Sequence, residues 1–152
     1  MTKPKIRIAD IADAPVLIDF NIRMARETED LELSFELISN GVLNMINKPG
    51  HGFYIVAEID EKIVGSLMIT TEWSDWRNGF FWWIQSVYVE PGSRRMGIYR
   101  EMYSYIKTIA QEDKLVCGFR LYVEENNTTA KAVYETLGMK KTHYLLFEEL
   151  KF

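Results

Sequence analysis

The sequence predicts a mixed-sheet α/β domain, in which helices pack against a single layer of strands. Helical and strand-like hydrophobic patterns follow one another in the order β-α-α-β-β-β-α-β-α-β. The run FFWWIQSVYV at 80–89 is apolar at almost every position, which is typical of a central strand buried on both faces. Two strand-like runs at 52–59 and 62–73 are joined by a short turn and predict an antiparallel hairpin.

Length and composition predict one cytoplasmic domain spanning residues 1–152. The chain has 152 residues, 47% of them hydrophobic and 26% charged, as in ordinary globular proteins. The net charge of −4 gives little support for binding nucleic acid. No run approaches membrane-spanning length, and MTKPKIRIAD lacks the apolar core of a signal peptide.

Cysteine and histidine give no sign of redox or metal chemistry. The single cysteine, Cys117, excludes an internal disulfide, and its apolar surroundings predict a buried structural thiol. His51 and His143 have no helical or strand pairing with carboxylates or with Cys117, so we expect no metal site.

The first half begins with a strand at 6–8. Asp13 is predicted to cap a helix that carries Pro15 in its first turn, where proline is tolerated. The acidic segment 25–33 interrupts this pattern, and a second helix is predicted from about 34 to 46. Four residues of that second helix are expected to face inward: Phe35, Ile38, Val42 and Met45.

The second half contains two strand–helix units. After the hairpin, a polar loop at 71–79 leads into the strand at 80–89, and a third helix begins near Arg95. A strand at 118–123 follows, Asn127 caps a fourth helix, and Gly138 ends it. The segment KTHYLLFEEL at 141–150 is predicted to close the chain as a strand.

The junction EPGSRRMGIYREM at 90–102 has the character of an anion site. A helix N-terminus offers free N–H groups and partial positive charge, and Gly97 removes a side chain where a phosphate would approach. Arg94 and Arg95 add charge, which suggests a pyrophosphate cradle. Neither G-x-x-x-x-G-K-[ST] nor G-x-G-x-x-G is present. The alternative is a plain helix start with two solvated arginines.

A second motif lies downstream. Asn127, Ala130 and Tyr134 are spaced to share one face of the fourth helix. With the junction, this helix resembles the GNAT superfamily of N-acetyltransferases, whose signatures are V-x-P-x-x-[RQ]-x-x-G-x-[GA] and N-x-x-A-x-x-x-Y-x-x-x-G-[FM]. The matching residues are Val89, Pro91, Arg94 and Gly97, then Asn127, Ala130, Tyr134, Gly138 and Met139.

This resemblance implies a mostly antiparallel central sheet with two splayed parallel strands, flanked by four helices, and acetyl-CoA as the acyl donor. It implies that Tyr134 donates a proton to the leaving thiolate, a task that suits a phenol of pKa about 10. The other reading of Tyr134 is an aromatic core residue. The implied acetyl-CoA contacts are Val87, Tyr88, Val89, Arg94, Arg95, Met96, Gly97, Ile98, Tyr99 and Asn127.

Two positions depart from the family pattern. Tyr99 replaces a small residue, and it either packs away or crowds the phosphates. Gln85 and Trp83 stand where many relatives carry a glutamate base. Either the amine loses its proton to solvent, or a carboxylate acts through water. The candidate carboxylates are Glu72, Asp75, Glu27 and Glu29.

The acceptor pocket in such enzymes is implied to lie near the acidic segment and the tryptophan-rich loop. Glu27, Trp76 and Gln85 are the expected acceptor contacts, and they suggest a small cationic amine. Arg77 instead favours an acceptor with a carboxylate, and a solvated loop with core tryptophans is the plain alternative. The predicted function is acetyl transfer to a primary amine by direct attack. The alternatives are a non-catalytic acyl-CoA-binding module and a scaffold that does not bind CoA. A homodimer is compatible with the fold, and we expect no nucleic-acid or membrane partner.

Overall fold

The computed structural model describes residues 2–151, which divide into two compact units with the boundary between Tyr122 and Val123. The first unit holds all five strands and three of the four helices. The strands are β1 (Lys5–Ile8), β2 (Gly52–Ile59), β3 (Lys62–Ser74), β4 (Gly79–Val89) and β5 (Val116–Leu121). The helices are α1 (Ala14–Glu29), α2 (Phe35–Asn47), α3 (Ile98–Gln111) and, in the second unit, α4 (Thr128–Thr136).

The five strands form one sheet in the order β1-β2-β3-β4-β5. Neighbouring strands are antiparallel except for β4 and β5, which are parallel. A parallel pair needs a crossover, and α3 supplies it between β4 and β5. The predicted mixed, mostly antiparallel sheet with four helices is therefore confirmed.

The β2–β3 hairpin is set by a two-residue turn. Asp60 and Glu61 both have positive φ, 50° and 63°, and Ile59 pairs with Lys62 across the turn. Two successive left-handed residues give the backbone twist that matches the twist of the flanking strands, and aspartate tolerates this conformation. The turn sets the register of the residue pairs next to it, and a bulge between Ala57 and Glu58 shifts the register of the remaining pairs.

Helices α1 and α2 cover one face of the sheet. Their apolar stripes meet side chains that alternate along β2, and the resulting core cluster is almost completely buried. Its buried members are Ala14, Leu17, Val42, Tyr54 and Val56. Ser34 caps α2 by accepting a hydrogen bond from the N–H of Leu37, and Val42 is buried as predicted. Phe35, expected inward, is instead 70% exposed because it lies in the first turn of α2, away from the sheet.

Helix α3 covers the opposite face. Ile98, Met102 and Ile106 are buried along one stripe of the helix. A Cβ at Gly65 of β3 would lie 3.0 Å from the Ile98 Cγ2 atom and 3.3 Å from the Tyr88 carbonyl oxygen. This close approach holds the first turn of α3 against the sheet, and so it fixes the position of the helix N-terminus.

The start of α1 differs from the prediction. Asp10, not Asp13, accepts the capping hydrogen bond, from the N–H of Ala12 in a short 3-10 turn at Ile11–Asp13. The buried Asp13 carboxylate instead accepts two hydrogen bonds from Arg7, at 2.7 and 2.9 Å, and one from the Asp10 N–H. Arg7 also pairs with Glu58 of β2. Asp13 therefore connects α1 to the sheet.

Several other predictions need correction. The acidic segment does not end α1, which continues through Glu29, and β3 extends through Ser74 into the expected loop. Cys117 is exposed, because β5 lies at the edge of the sheet. Helix α3 begins at Ile98, three residues after the predicted start at Arg95, because a short 3-10 turn and a bend precede it.

The second unit consists of α4 and the C-terminal segment. Asn127 caps α4 by accepting a hydrogen bond from the Ala130 N–H, as predicted, and Gly138 follows the helix with φ at 100°. The predicted strand at 141–150 is not formed: these residues have no regular secondary structure. A strand exists only where a neighbour accepts its hydrogen bonds, so an apolar pattern alone does not create one.

Among residues 2–151, no helix combines the length and the apolar character needed to cross a membrane.

The Asp13–Arg7 pair predicts a pH-dependent contribution to stability. The hydrogen bonds from Arg7 lower the pKa of Asp13, so the stabilisation is present above the carboxyl's unfolded pKa and is lost as pH falls through its folded pKa. We expect Asp13→Asn to lower the free energy of unfolding at pH 7 by about 2 kcal/mol. Urea unfolding between pH 7 and pH 3 measures both effects. The exposed turn variant Asp60→Asn is the control, and equal acid sensitivity of Asp13→Asn and the wild type would contradict the assignment.

Candidate active site

Strand β4 separates from its parallel neighbour halfway along its length. It pairs with β5 from Phe80 to Ile84, whereas its pairing with β3 continues to Val89. The register against β3 shifts between Ser66 and Met68, and Ser86 has φ at 52°, which together mark a β-bulge. Among residues 2–151, the backbone of 85–89 therefore has no strand partner on the side facing away from β3.

The predicted backbone contacts Val87, Tyr88 and Val89 all lie in this open part of β4. An unpaired strand edge presents N–H and C=O groups to any extended polar ligand. The Val89 carbonyl is already in use, since it accepts a hydrogen bond of 2.8 Å from the Arg94 guanidinium. The open edge accordingly begins at Gln85 and ends where Arg94 covers it.

The loop after β4 leads into an uncapped helix. Gly97 is the N-cap of α3, and no side chain caps the first-turn N–H groups there. Those N–H groups and the helix dipole favour an anion at this end. Arg95 precedes Gly97 with φ at 64°, and its side chain is exposed together with that of Arg94. The loop geometry thus combines exposed positive charge with free backbone donors.

Gly97 is suited to this position for two reasons. Its φ of 77° lies in the left-handed region, which other residues enter only with strain. A Cβ built at Gly97 would meet no heavy atom within 4 Å, so the space above the helix N-terminus is open. A shallow cavity of about 200 Å³ adjoins this turn and is lined in part by Lys3, Met96 and Arg100.

Arg94 is held by an ion pair with α1. Its guanidinium donates a hydrogen bond of 2.8 Å to Glu27, and the Tyr88 hydroxyl donates one of 3.0 Å to the same carboxylate. The hydrogen bond from Arg94 is the main reason why the pKa of Glu27 is lowered. Arg94 also lies 5.4 Å from the centre of the Tyr88 ring. The structure therefore joins two predicted site residues, Arg94 and Glu27, directly to each other.

A second ion pair lies one helical turn earlier on α1. Arg23 donates two hydrogen bonds to Glu90, at 3.0 and 2.7 Å, and lies over the rings of Phe20 and Tyr88. Glu90 is the first residue of the loop, so α1 holds the loop at both Glu90 and Arg94. Sequence reasoning missed Arg23 and Glu90, whose partners lie 67 residues apart along the chain.

Tyr99 makes an aromatic contact within α3. Its ring stacks on Tyr103 of the same helix, with centroids 6.1 Å apart and an interplanar angle of 6°. Ile98, its neighbour, is buried against the sheet. The structure shows an aromatic contact for Tyr99 within α3, and its effect on a bound phosphate stays a prediction.

A polar and aromatic surface occupies the same sheet face as Gln85. The Gln85 amide donates a 2.6 Å hydrogen bond to the Thr70 hydroxyl, and Trp83 packs on Tyr122 with centroids 4.5 Å apart. Further along, Arg120 pairs with Glu72 at 2.5 Å. The members of this surface alternate along three adjacent strands, which aligns them on one face. Tyr122 and Arg120 were not predicted, because the pairing of β5 with β4 is not visible in the sequence.

Trp76 and Glu27, two of the predicted acceptor contacts, lie far apart. Trp76 is 89% exposed in the turn between β3 and β4, which are joined at 75–78. The strand from Gly79 to Tyr88 spans about 30 Å at 3.3 Å per residue, so Trp76 and Glu27 mark opposite ends of β4. The predicted acceptor residues therefore do not form one cluster.

Asn127 and Tyr134 lie in the second unit, on α4. The Asn127 side chain caps the helix, and Tyr134 is half-buried. Burial raises the pKa of the Tyr134 phenol, so the side chain remains a proton donor across the neutral range. The two residues are seven apart along the chain, and Asn127 is the N-cap that precedes the first residue of α4.

The sequence model of the Acetyltransferase (GNAT) family matches residues 17–139. A possible acetyltransferase from Clostridium difficile 630 has a crystal structure that is 41% identical, covers 99% of both chains and superposes with a TM-score of 0.91. None of the curated proteins compared with the chain matches it.

More distant solved structures share the fold. A predicted acetyltransferase from Clostridium acetobutylicum, solved with acetyl-CoA, is 21% identical over 97% of this chain and 96% of the other, with a TM-score of 0.78. An aminoglycoside acetyltransferase from an uncultured soil metagenomic sample, in complex with sisomicin, is 16% identical over 97% of each chain, with a TM-score of 0.77. The family match over most of the chain and the 41% identical structure agree with the motifs at the β4–α3 junction and on α4: the protein belongs to the GNAT family of acetyltransferases.

Proposed function

We propose that this protein transfers the acetyl group of acetyl-CoA to a primary amine of a small acceptor. The observation that carries the proposal is the β4–α3 junction, where an open strand edge leads into an uncapped helix N-terminus with a left-handed glycine. The thiol-bearing arm of coenzyme A, followed by its diphosphate, matches these two features in the same order. The strand edge suits the amide groups of the arm, and the helix N-terminus suits the diphosphate.

The proposed reaction is a direct attack. The amine nitrogen attacks the thioester carbonyl carbon, a C–N bond forms, the C–S bond breaks, and the thiolate leaves with the electron pair. Tyr134 supplies a proton to that thiolate, in the role that its motif position implies. Burial raises the pKa of its phenol, which supports the role because a donor must hold its proton until the sulfur departs.

The amine loses its proton to solvent in this proposal. Glu27 is a poor base, because its pKa is lowered by Arg94, and Glu72 is paired with Arg120. Gln85 at the usual glutamate position has no basic form. Catalysis then depends mainly on holding a neutral amine beside the thioester, and such positioning contributes several kcal/mol.

The acceptor is proposed to lie on the surface formed by Gln85, Thr70, Trp83 and Tyr122. Its aromatic rings and amide fit a compact molecule that carries both an apolar part and hydrogen-bonding groups. The Glu72–Arg120 pair at its border can exchange with an ammonium or a carboxylate of the acceptor. The complex of a structural neighbour with sisomicin supports a small-molecule acceptor rather than a macromolecular one.

The main alternative is a non-catalytic acyl-CoA-binding module. It is favoured by the ion pairs of two candidate bases, Glu27 and Glu72, each of which is bound by an arginine. Titration calorimetry with acetyl-CoA, followed by a panel of amines with release of free CoA as the readout, separates the two functions. Binding without CoA release from any amine would favour the alternative, and absence of binding would contradict both.

Gly97→Ala tests the cofactor end. We expect acetyl-CoA affinity to fall about tenfold, which corresponds to about 1.4 kcal/mol of binding free energy. The alanine keeps a strained φ of 77° and places a methyl group in the open space. Calorimetric titration measures the affinity, and Gly92→Ala is the matched control, since a Cβ there also meets nothing within 4 Å and its φ is ordinary. Equal affinities of the two variants would contradict a ligand at Gly97.

Tyr134→Phe tests the proton donor. We expect kcat to fall about 100-fold or more while acetyl-CoA affinity stays within twofold, because only the proton for the leaving thiolate is lost. Steady-state kinetics on the best amine of the panel measures this. The control is Tyr105→Phe, a partly exposed tyrosine of α3. An unchanged kcat in Tyr134→Phe would remove the residue from the mechanism.

A further inference from the structure

Two arginine side chains, named here the arginine pair, lie over one phenylalanine ring of β4. The Arg120 guanidinium carbon is 3.6 Å from the centre of the Phe81 ring, and the Arg77 guanidinium carbon is 5.1 Å from it. The two cations are therefore neighbours, although Arg120 belongs to β5 and Arg77 to the turn between β3 and β4. Because like charges this close repel each other, an anion that contacts both is favoured.

The ring under the arginine pair is held in place by the sheet. Phe81 pairs with Gly118 of β5 and is 7% exposed. A Cβ at Gly118 would lie 2.7 Å from the Phe81 Cε1 atom, so any other residue there would force the ring to move. A guanidinium over an aromatic ring is attracted by the ring quadrupole. The arginine pair thus rests on a buried platform.

The charges around the arginine pair are not balanced. Glu72 accepts one hydrogen bond of 2.5 Å from Arg120 Nη1, which uses one of the five N–H donors of that guanidinium. Within residues 2–151, Arg77 makes no ion pair, and the exposed Asp75 of the same turn pairs with neither arginine. The Arg120 side chain is 32% exposed and Arg77 is exposed, so a ligand can reach both. The pair is therefore available to an anionic group.

The arginine pair borders the proposed acceptor surface. Phe81, Trp83 and Gln85 alternate along β4, so their side chains share one face of the sheet. Trp83 packs on Tyr122 with ring centroids 4.5 Å apart, which places an aromatic strip between the arginines and Gln85. Four residues of strand separate Phe81 from Gln85, or about 13 Å. Along this line the surface changes from positive charge, through aromatic rings, to the amide at the start of the open strand edge.

We propose that the acceptor is an ω-amino acid, a linear molecule with a primary amine at one end and a carboxylate at the other. This inference rests on the acetyl transfer proposed above. The arginine pair binds the carboxylate, whose two oxygens can accept hydrogen bonds from both guanidiniums. Trp83 and Tyr122 contact the carbon chain, and the amine nitrogen lies near Gln85, where it attacks the thioester carbonyl carbon. The carboxylate itself forms and breaks no covalent bond.

The spacing on the sheet sets the length of this acceptor. An extended chain advances about 3.5 Å for every three bonds. Arg120 pairs in register with Trp83, two residues from Gln85, and its guanidinium lies over Phe81, four residues from Gln85. The carboxylate and the amine are therefore about 7 to 13 Å apart, a distance that needs about six to eleven bonds. An α-amino acid, whose two groups share one carbon, is too short to reach both ends.

Three amines of equal carbon count test the carboxylate: 6-aminohexanoate, 6-aminohexanamide and hexylamine. Release of free CoA from acetyl-CoA at neutral pH gives kcat/KM for each. We expect kcat/KM for the acid to exceed that for the amide and for hexylamine about 10- to 100-fold, because charge-assisted hydrogen bonds to the arginine pair are made only by the acid. The shorter 4-aminobutanoate should fall about tenfold below 6-aminohexanoate. Equal values for the acid and the neutral amines would overturn this inference and leave acetyl transfer standing.

Arg77→Gln locates the carboxylate. Arg77 is an exposed turn residue, so its replacement leaves the core untouched. We expect the preference for 6-aminohexanoate over 6-aminohexanamide to fall about tenfold. Lys114→Gln is the matched control: it removes one exposed positive charge beside Leu115, whose carbonyl accepts a hydrogen bond from the Phe80 N–H at the same end of β4. An unchanged preference in Arg77→Gln, or an equal loss in Lys114→Gln, would contradict a carboxylate at the arginine pair.

A binding measurement separates this inference from the proposed reaction. Calorimetric titration of the full chain saturated with CoA, which has no acetyl group to transfer, should show 6-aminohexanoate binding at least about tenfold tighter than 6-aminohexanamide. The difference should disappear in Arg77→Gln. Tight binding of the acid without CoA release from acetyl-CoA would contradict acetyl transfer and support the carboxylate site. Equal affinity for the acid and the amide, including no detectable binding of either, would overturn the inference.

Discussion

The structure depends on one constraint: strand β4 must serve two neighbours of opposite direction over different parts of its length. It pairs with β3 along its full length and with β5 only as far as Ile84. The bulge at Ser86 lies where the second pairing ends, and it increases the local twist. The chain then enters α3, and Gly65 allows this helix to approach the sheet closely. The open strand edge and the helix N-terminus are therefore parts of one continuous segment.

The residues of α1 hold that segment by a pattern of reversed charges. Arg23 and Glu27 lie one helical turn apart on α1, and their partners Glu90 and Arg94 lie four residues apart in the loop after β4. Each arginine meets a glutamate, so a shift by one turn would oppose like charges. Pairs of this partly exposed kind add little stability, but they specify one register between helix and loop. Helix α1 thereby positions the loop after β4, although none of the motif residues of that loop lies on α1.

Local patterns were enough to predict most elements and part of the site. The hairpin turn, the apolar β4, the Ser34-led α2 and the Asn127 cap all express preferences within a few residues, and the structure shows each of them. The failures are long-range. The Asp13 carboxylate binds Arg7 instead of capping α1, and the Arg94 guanidinium pairs with Glu27. Cys117 is exposed because β5 has one neighbouring strand. Ser86 gave no signal, since serine rarely takes positive φ.

The Arg94–Glu27 pair has a consequence for the order of events. An anion that binds at the N-terminus of α3 competes with Glu27 for the Arg94 guanidinium, which is the main cause of the low pKa of that carboxyl. Release of Arg94 would raise the pKa of Glu27 and leave its carboxylate without an arginine partner beside Tyr88. A cationic molecule would then find this end of β4 more attractive after the anion has arrived than before. The ion pair therefore links the charge at this end of β4 to what binds the Arg94 guanidinium.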